Sequence, residues 1–102
     1  SMETGSYLLL GTETAHNETF ASTAHGSGRI MSRTKAKRIF RGEKLFRDML
    51  NRGIYVKSVS YSGLAEEAGK AYKDIDEVVN ATVEAKISKR VTRFLPIGNV
   101  KG

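Results

Sequence analysis

Apolar residues occur in this chain only as short runs, each closed off by glycine, serine or charge. That rhythm restricts the chain to short helices and strands around a small core. Tyr7-Leu8-Leu9-Leu10 ends at Gly11 and reads as a buried strand. Residues 12–20 are polar with a few apolar positions and fit a short helix. Leu45, Phe46, Met49 and Leu50 fall on one face of a helix beginning near Gly42. Glu43 and Arg47 can pair one turn apart on it, and Gly53 offers a left-handed stop. Residues 54–59 are β-branched and aromatic, which is strand chemistry. A helical turn is expected around residues 64–68. Asp74 and Glu77 form a capping-box pattern that opens a helix running to about Ala85 and burying Ile75, Val78, Val79 and Val83. Residues 90–95 suit a last strand stopped by Pro96, and residues 97–102 carry no helix signal. The expected fold class is α+β, with residues 1–102 as a single domain.

No apolar run approaches the roughly 20 residues of a membrane span. The absence of cysteine excludes disulfides and thiolate metal sites and fits an intracellular, cytoplasmic setting. A formal net charge of +6 favours an anionic partner, although charge of this size also serves solubility. Much of it sits in one stretch: Arg29, Arg33, Lys35, Lys37, Arg38, Arg41 and Lys44, opposed only by Glu43. Arg29, Arg33, Lys37 and Arg38 are the candidate RNA phosphate contacts. The competing reading is a solvated helix face.

The sharpest chemical feature is the loop Ala21-Ser22-Thr23-Ala24-His25-Gly26-Ser27-Gly28-Arg29. Glycines let a backbone approach a ligand closely and aim N–H groups at an anion. A neutral imidazole is a competent nucleophile and titrates near physiological pH. Together these suit nucleotidyl transfer, and an ordinary exposed histidine in a loop is the plain alternative. His16 and His25 are the only histidines, so a closed zinc site cannot be assembled.

Residues 22–29, followed by Met31-Ser32-Arg33, resemble the guanylylation motif of RtcB RNA ligases, which reads Ser/Thr-Thr-Cys-His-Gly-Ala-Gly-Arg and then Ser-Arg after a hydrophobic pair. Ser1-Met2-Glu3-Thr4-Gly5-Ser6-Tyr7 is similar to that family's Ser-Met-Gly-Thr-x-Ser-Tyr. Arg52-Gly53-Ile54-Tyr55-Val56 is similar to its Arg-Gly-Ile-x-Val. Glu66-Glu67-Ala68 and Ala71-Tyr72-Lys73 follow its Glu-Glu-Ala-Pro-x-x-Tyr-Lys, and the ending through Lys101-Gly102 follows its Pro-x-x-x-x-Lys-Gly.

The resemblance covers the whole chain and implies the C-terminal portion of a larger mixed fold. It implies a GTP-dependent ligase that joins an RNA 3′-phosphate or 2′,3′-cyclic phosphate to a 5′-hydroxyl through a histidine–GMP intermediate, with tRNA halves or broken RNA as partners. His25 would be the nucleophile. Ser1, Met2, Ser6, Gly26, Ser27, Gly28, Tyr72 and Lys101 would contact GTP or GMP. Manganese would be held only by segments missing from this chain, and an N-terminal ligase segment supplied in trans is a possible partner. Alone, the chain is expected to be inactive.

The sequence departs from the family pattern at several places. Ala24 replaces cysteine, Ser27 replaces alanine, Val83 replaces histidine, Lys86 replaces glycine and Leu95 replaces arginine. Gly69 stands for proline, and Glu3 stands for glycine, which implies a carboxylate crowding or repelling phosphate. Two other readings compete: a non-enzymatic basic domain that binds RNA or a partner chain, and a degenerate ligase remnant.

Overall fold

A computed structural model describes residues 1–102. The elements run β1 (Ser6–Gly11), α1 (Glu13–Glu18), α2 (Arg33–Ile39), α3 (Gly42–Asn51), β2 (Tyr55–Ser58), α4 (Tyr61–Glu66), a 3-10 turn (Gly69–Ala71), α5 (Ile75–Glu84), β3 (Ser88–Phe94) and β4 (Gly98–Lys101). The fold is α+β, and no helix is long and apolar enough to cross a membrane.

Short polar side chains start most of the helices. Thr12 accepts from the Ala15 N–H, Ser32 from the Lys35 N–H and Ser60 from the Gly63 N–H, satisfying amides that the first turn leaves unpaired. Asp74 caps α5 as its sequence suggests, but its carboxylate accepts from the Asp76 N–H, and Glu77 returns no bond. The expected capping box is therefore only half made. α3 has no side-chain cap; its first residue, Gly42, packs directly on the Tyr61 backbone. It ends at Arg52, and Gly53 takes the left-handed conformation at φ +77°.

The apolar core is Met2, Met49, Ile54, Val56 and Leu64, with Leu45 and Phe46 packed against it. It joins α3, β2 and α4 to the turn that precedes β1. The Phe46 ring meets Tyr61 edge-on, with centroids 5.9 Å apart. Ala36, Ala65, Ala68 and Ala71 are buried as well. Their small side chains let α2 and the 3-10 turn lie close to α4.

The strands form two separate pairs. β1 and β3 are antiparallel, Tyr7 facing Arg93 and Leu10 facing Lys89, with an irregularity between Leu8 and Leu9. β2 and β4 are parallel, Val56 facing Asn99 and Ser58 facing Lys101. β4 has no counterpart in the sequence reading. Gly98-Asn99-Val100-Lys101 shows little strand propensity, and its pairing depends on a distant partner.

The expectation of a buried first strand needs correction. β1 is a strand, but Leu8 is 49% and Leu10 58% exposed. The ladder has only two strands, and α5 covers one face of it. Tyr7 and Leu9 turn toward that helix while Leu8 and Leu10 turn away. On the covered side the buried hydroxyls of Thr82 and Ser88 bond to each other at 2.7 Å, so neither is left unpaired.

Candidate functional site

The loop that carries His25 begins where α1 ends. Phe20 and Ala21 both take φ of 55°, an unusual backbone for residues with side chains, and turn the chain out of the helix. The far end of the loop is pinned. Ile30 N–H donates to the Ala71 carbonyl at 2.9 Å and Lys73 N–H to the Gly28 carbonyl at 3.0 Å, forming a short antiparallel bridge between Arg29 and Tyr72. Backbone thus anchors one end of a segment whose own composition supplies no helix or strand.

His25 is exposed, and its ring makes no hydrogen bond within the chain. It lies on the wall of a concavity of about 160 Å³ together with Ser1, Ser6, Gly26 and Ser27. The opposite wall is the inner face of α5, with Ile75, Val78, Val79 and Thr82 beside Tyr7 and Leu9 of β1. Ile75, Val78, Val79, Tyr7 and Leu9 were legible only as core positions and Thr82 not at all; nothing in their spacing set them apart as part of a site. Binding pockets for nucleotide-sized ligands usually measure about 300–1,000 Å³. At 160 Å³ the cavity formed by this chain is smaller than that range.

The other residues singled out in the sequence lie elsewhere. Gly28 adjoins the cavity but does not line it; its φ is +74° and its carbonyl serves the bridge. Met2 packs in the core at 3% exposure, and its carbonyl accepts from the Asn99 side-chain amide at 2.8 Å. Its side chain is therefore not free to face a ligand. Lys101 lies in β4, half-buried and outside the cavity.

Tyr72 belongs to a separate polar cluster. Its hydroxyl accepts from Arg29 at 2.9 Å and donates to Glu67 at 2.5 Å, while the Arg29 guanidinium lies 4.7 Å from the ring centre. Burial, then the bond to Glu67, pushes the Tyr72 phenol above its ordinary pKa.

Glu3 needs a correction of its own. Its carboxylate does not crowd the His25 cavity. It accepts from the Gly69 N–H and pairs with Arg52 at 2.7 Å, on the other side of its turn.

Three of the four basic residues marked for RNA phosphate have carboxylate or carbonyl partners inside the chain. Arg29 donates to the Met31 and Glu66 carbonyls at 3.0 and 2.6 Å as well as to Tyr72. Arg33 lies 3.4 Å from Glu66 and 3.7 Å from Glu67, and Lys37 lies 2.8 Å from Glu66. Arg38 alone has no ion pair and is exposed. The pairing arises because the two carboxylates at the end of α4 face α2, which linear spacing does not reveal.

The Lys37 ammonium hydrogen-bonded to Glu66 holds that carboxyl below the usual range; partial burial opposes this, and the Arg33 and Arg29 charges add to the lowering. A carboxyl lowered on folding stabilises the fold above its unfolded pKa, and the contribution is lost as pH falls through the folded value. Acid titration followed by circular dichroism should show Glu66→Gln removing part of the parent's loss of stability below the ordinary carboxylate range. An unchanged acid limb would mean that the cluster contributes nothing to the fold.

No group of three or more histidine, cysteine, aspartate or glutamate side chains is placed to hold a metal ion. The residues present do not fit a manganese site.

Comparison with known proteins agrees with the motifs. The family model described as "tRNA-splicing ligase RtcB" matches residues 1–102. A tRNA-splicing ligase RtcB of Methanopyrus kandleri is 57% identical over 101 residues, covering 99% of this chain and 10% of that protein. Those of Pyrococcus horikoshii and Archaeoglobus fulgidus are 53% and 52% identical over the whole chain, which covers 12% and 21% of their lengths. The chain thus spans about a tenth to a fifth of the curated relatives it matches.

Proposed function

The chain belongs to the tRNA-splicing ligase RtcB family, and from that premise we propose that it supplies the nucleotide-accepting histidine of a GTP-dependent RNA ligase. The observation that carries this reading is the placement of His25: exposed, free of internal hydrogen bonds and set among Ser1, Ser6, Gly26 and Ser27 on a concave wall. A nitrogen lone pair not engaged by a neighbouring side chain is available for attack. Small residues around it leave room for a phosphate, and their backbone amides can donate to it.

In the proposed reaction an imidazole nitrogen of His25 attacks the α-phosphorus of GTP. A P–N bond forms, the P–O bond to the β-phosphate breaks, and pyrophosphate leaves. The other ring nitrogen loses its proton, leaving an uncharged imidazole ring that carries the GMP as an anionic phosphoramidate. GMP then passes from His25 to an RNA 3′-phosphate, and attack by a 5′-hydroxyl joins the strands and releases GMP. Ser1 and Ser6 offer hydroxyls to the nucleotide, and the apolar face of α5 excludes water from one side. Lys101 and Tyr72 act at a distance from the histidine in this scheme. Arg38 is the residue left to meet RNA phosphate.

Because the cavity is smaller than a nucleotide-sized pocket and the chain spans only about a tenth to a fifth of its relatives, it works with further ligase sequence supplied in the same polypeptide or in trans.

Incubation with α-labelled GTP and manganese tests the proposal, with the chain alone and mixed with the upstream portion of a relative. The expected result is covalent label in the mixture only, mapping to His25. Label on any other residue would overturn the assignment of the nucleophile. Strong labelling of the chain alone would overturn its dependence on added sequence. Salt-dependent RNA binding with no affinity for GTP in either case would favour a basic RNA-binding domain instead.

A further inference from the structure

Glu3 and Gly69 are the two places where this sequence leaves the family pattern on both sides of one contact, with glutamate for glycine and glycine for proline. The Glu3 carboxylate accepts from the Gly69 N–H, and Gly69 has no other acceptor. A proline there would lack that donor. A Cβ on Gly69 would lie 2.7 Å from Glu3 Oε2 and 3.3 Å from Glu3 Cβ, so the carboxylate would have to swing away from the turn it holds. The backbone itself raises no objection. Gly69 is the first residue of the 3-10 turn, and Ala68 before it is extended at φ −50°, ψ 136°, the conformation a following proline prefers. What a proline at position 69 would disrupt is therefore the contact with the side chain at position 3.

The same contact bears on the cavity. Glu3 belongs to the turn before β1, and Ser1, Gly5 and the first β1 residue, Ser6, line the His25 concavity while Glu3 does not. Its side chain is 16% exposed, and the carboxylate fastens that turn to two elements, the 3-10 turn through Gly69 and the end of α3 through Arg52. We infer that Glu3 and Gly69 are a coupled pair in which Glu3 is a positioning residue, holding Ser1 and Ser6 at the mouth of the cavity. For its functional meaning this rests on the ligase reading; the coupling itself does not.

A double-mutant cycle tests the coupling through thermal unfolding of the whole chain. Gly69→Pro alone should lower the melting temperature by about 8 °C or more, because it leaves a partly buried carboxylate facing a ring with no donor. In a Glu3→Gly background the same substitution should raise it by about 2–6 °C, since proline then only restricts the unfolded chain. An equal loss in both backgrounds would overturn the coupling. Positioning is read separately from the backbone amide shifts of the nucleotide-free chain. Glu3→Ala should move the amides of Gly5, Ser6 and His25, and the Glu3→Gly, Gly69→Pro double variant should move them as well, because it too lacks the carboxylate that ties the turn to Gly69 and Arg52. Amides at Ser6 and His25 that stay in place in Glu3→Ala would overturn the positioning role. If those amides move as expected while the parent, mixed with upstream ligase sequence, fails to bind GTP, the ligase reading falls and the coupled pair stands.

Discussion

Substitution of His25 by asparagine is expected to abolish covalent capture of GMP in the mixture with upstream ligase sequence while leaving the fold untouched. Removing the atom that forms the bond should cost at least about 10⁴-fold in labelling rate, because no neighbouring group can take its place. The only other histidine, His16, lies in α1 and does not line the cavity. Stability should stay within about 0.5 kcal/mol of the parent, since an exposed side chain with no hydrogen bond contributes little. Gel-based labelling and a thermal melt on the same sample separate the two effects. Retained labelling would remove His25 from the mechanism, and a large loss of stability would show a packing role that its exposure does not suggest.

Substitution of Gly42 by alanine is expected to be the most damaging single change to the fold. The added Cβ would lie 1.8 Å from the Tyr61 carbonyl oxygen and 2.5 Å from its carbon. Both are backbone atoms at the start of α4, so no rotamer change relieves the clash. α3 and α4 would have to separate, and the core between them includes Met49 and Leu64, both fully buried. A cost of about 3–5 kcal/mol is expected, at the upper end of overpacking penalties. For a chain of this size that corresponds to a fall of about 12 °C or more in melting temperature. Leu50→Ala on the same helix makes a useful contrast, because Leu50 is 42% exposed and its truncation should cost far less. A near-parental melt for Gly42→Ala would mean that the two helices are not held this closely.

The elements legible in the sequence are those whose signal is local. α3 and α5 announce themselves through repeated apolar faces, and Gly53 ends α3 where its freedom of φ is needed. The His25 loop is visible because glycine and hydroxyl residues exclude regular structure there. What escaped depends on contacts between distant positions. The exposure of Leu8 and Leu10 follows from how few strands join β1, which β1 itself does not encode. β4 exists because β2 offers it an edge. The basic run looks like a free phosphate-binding surface until Glu66 and Glu67 are placed against it. Met2 shows the same limit: a family motif marks it, and packing places it inside the core.

The parallel pairing of β2 with β4 has a kinetic consequence. Two helices and β3 lie between these strands in the chain, so their alignment closes a long loop before any contact rewards it. Val56 and Ile54 can gather α3 and α4 early, but the edge of β2 that receives β4 stays bare until β4 has been synthesised. During translation that bare edge is open to pairing with whatever extended segment reaches it first.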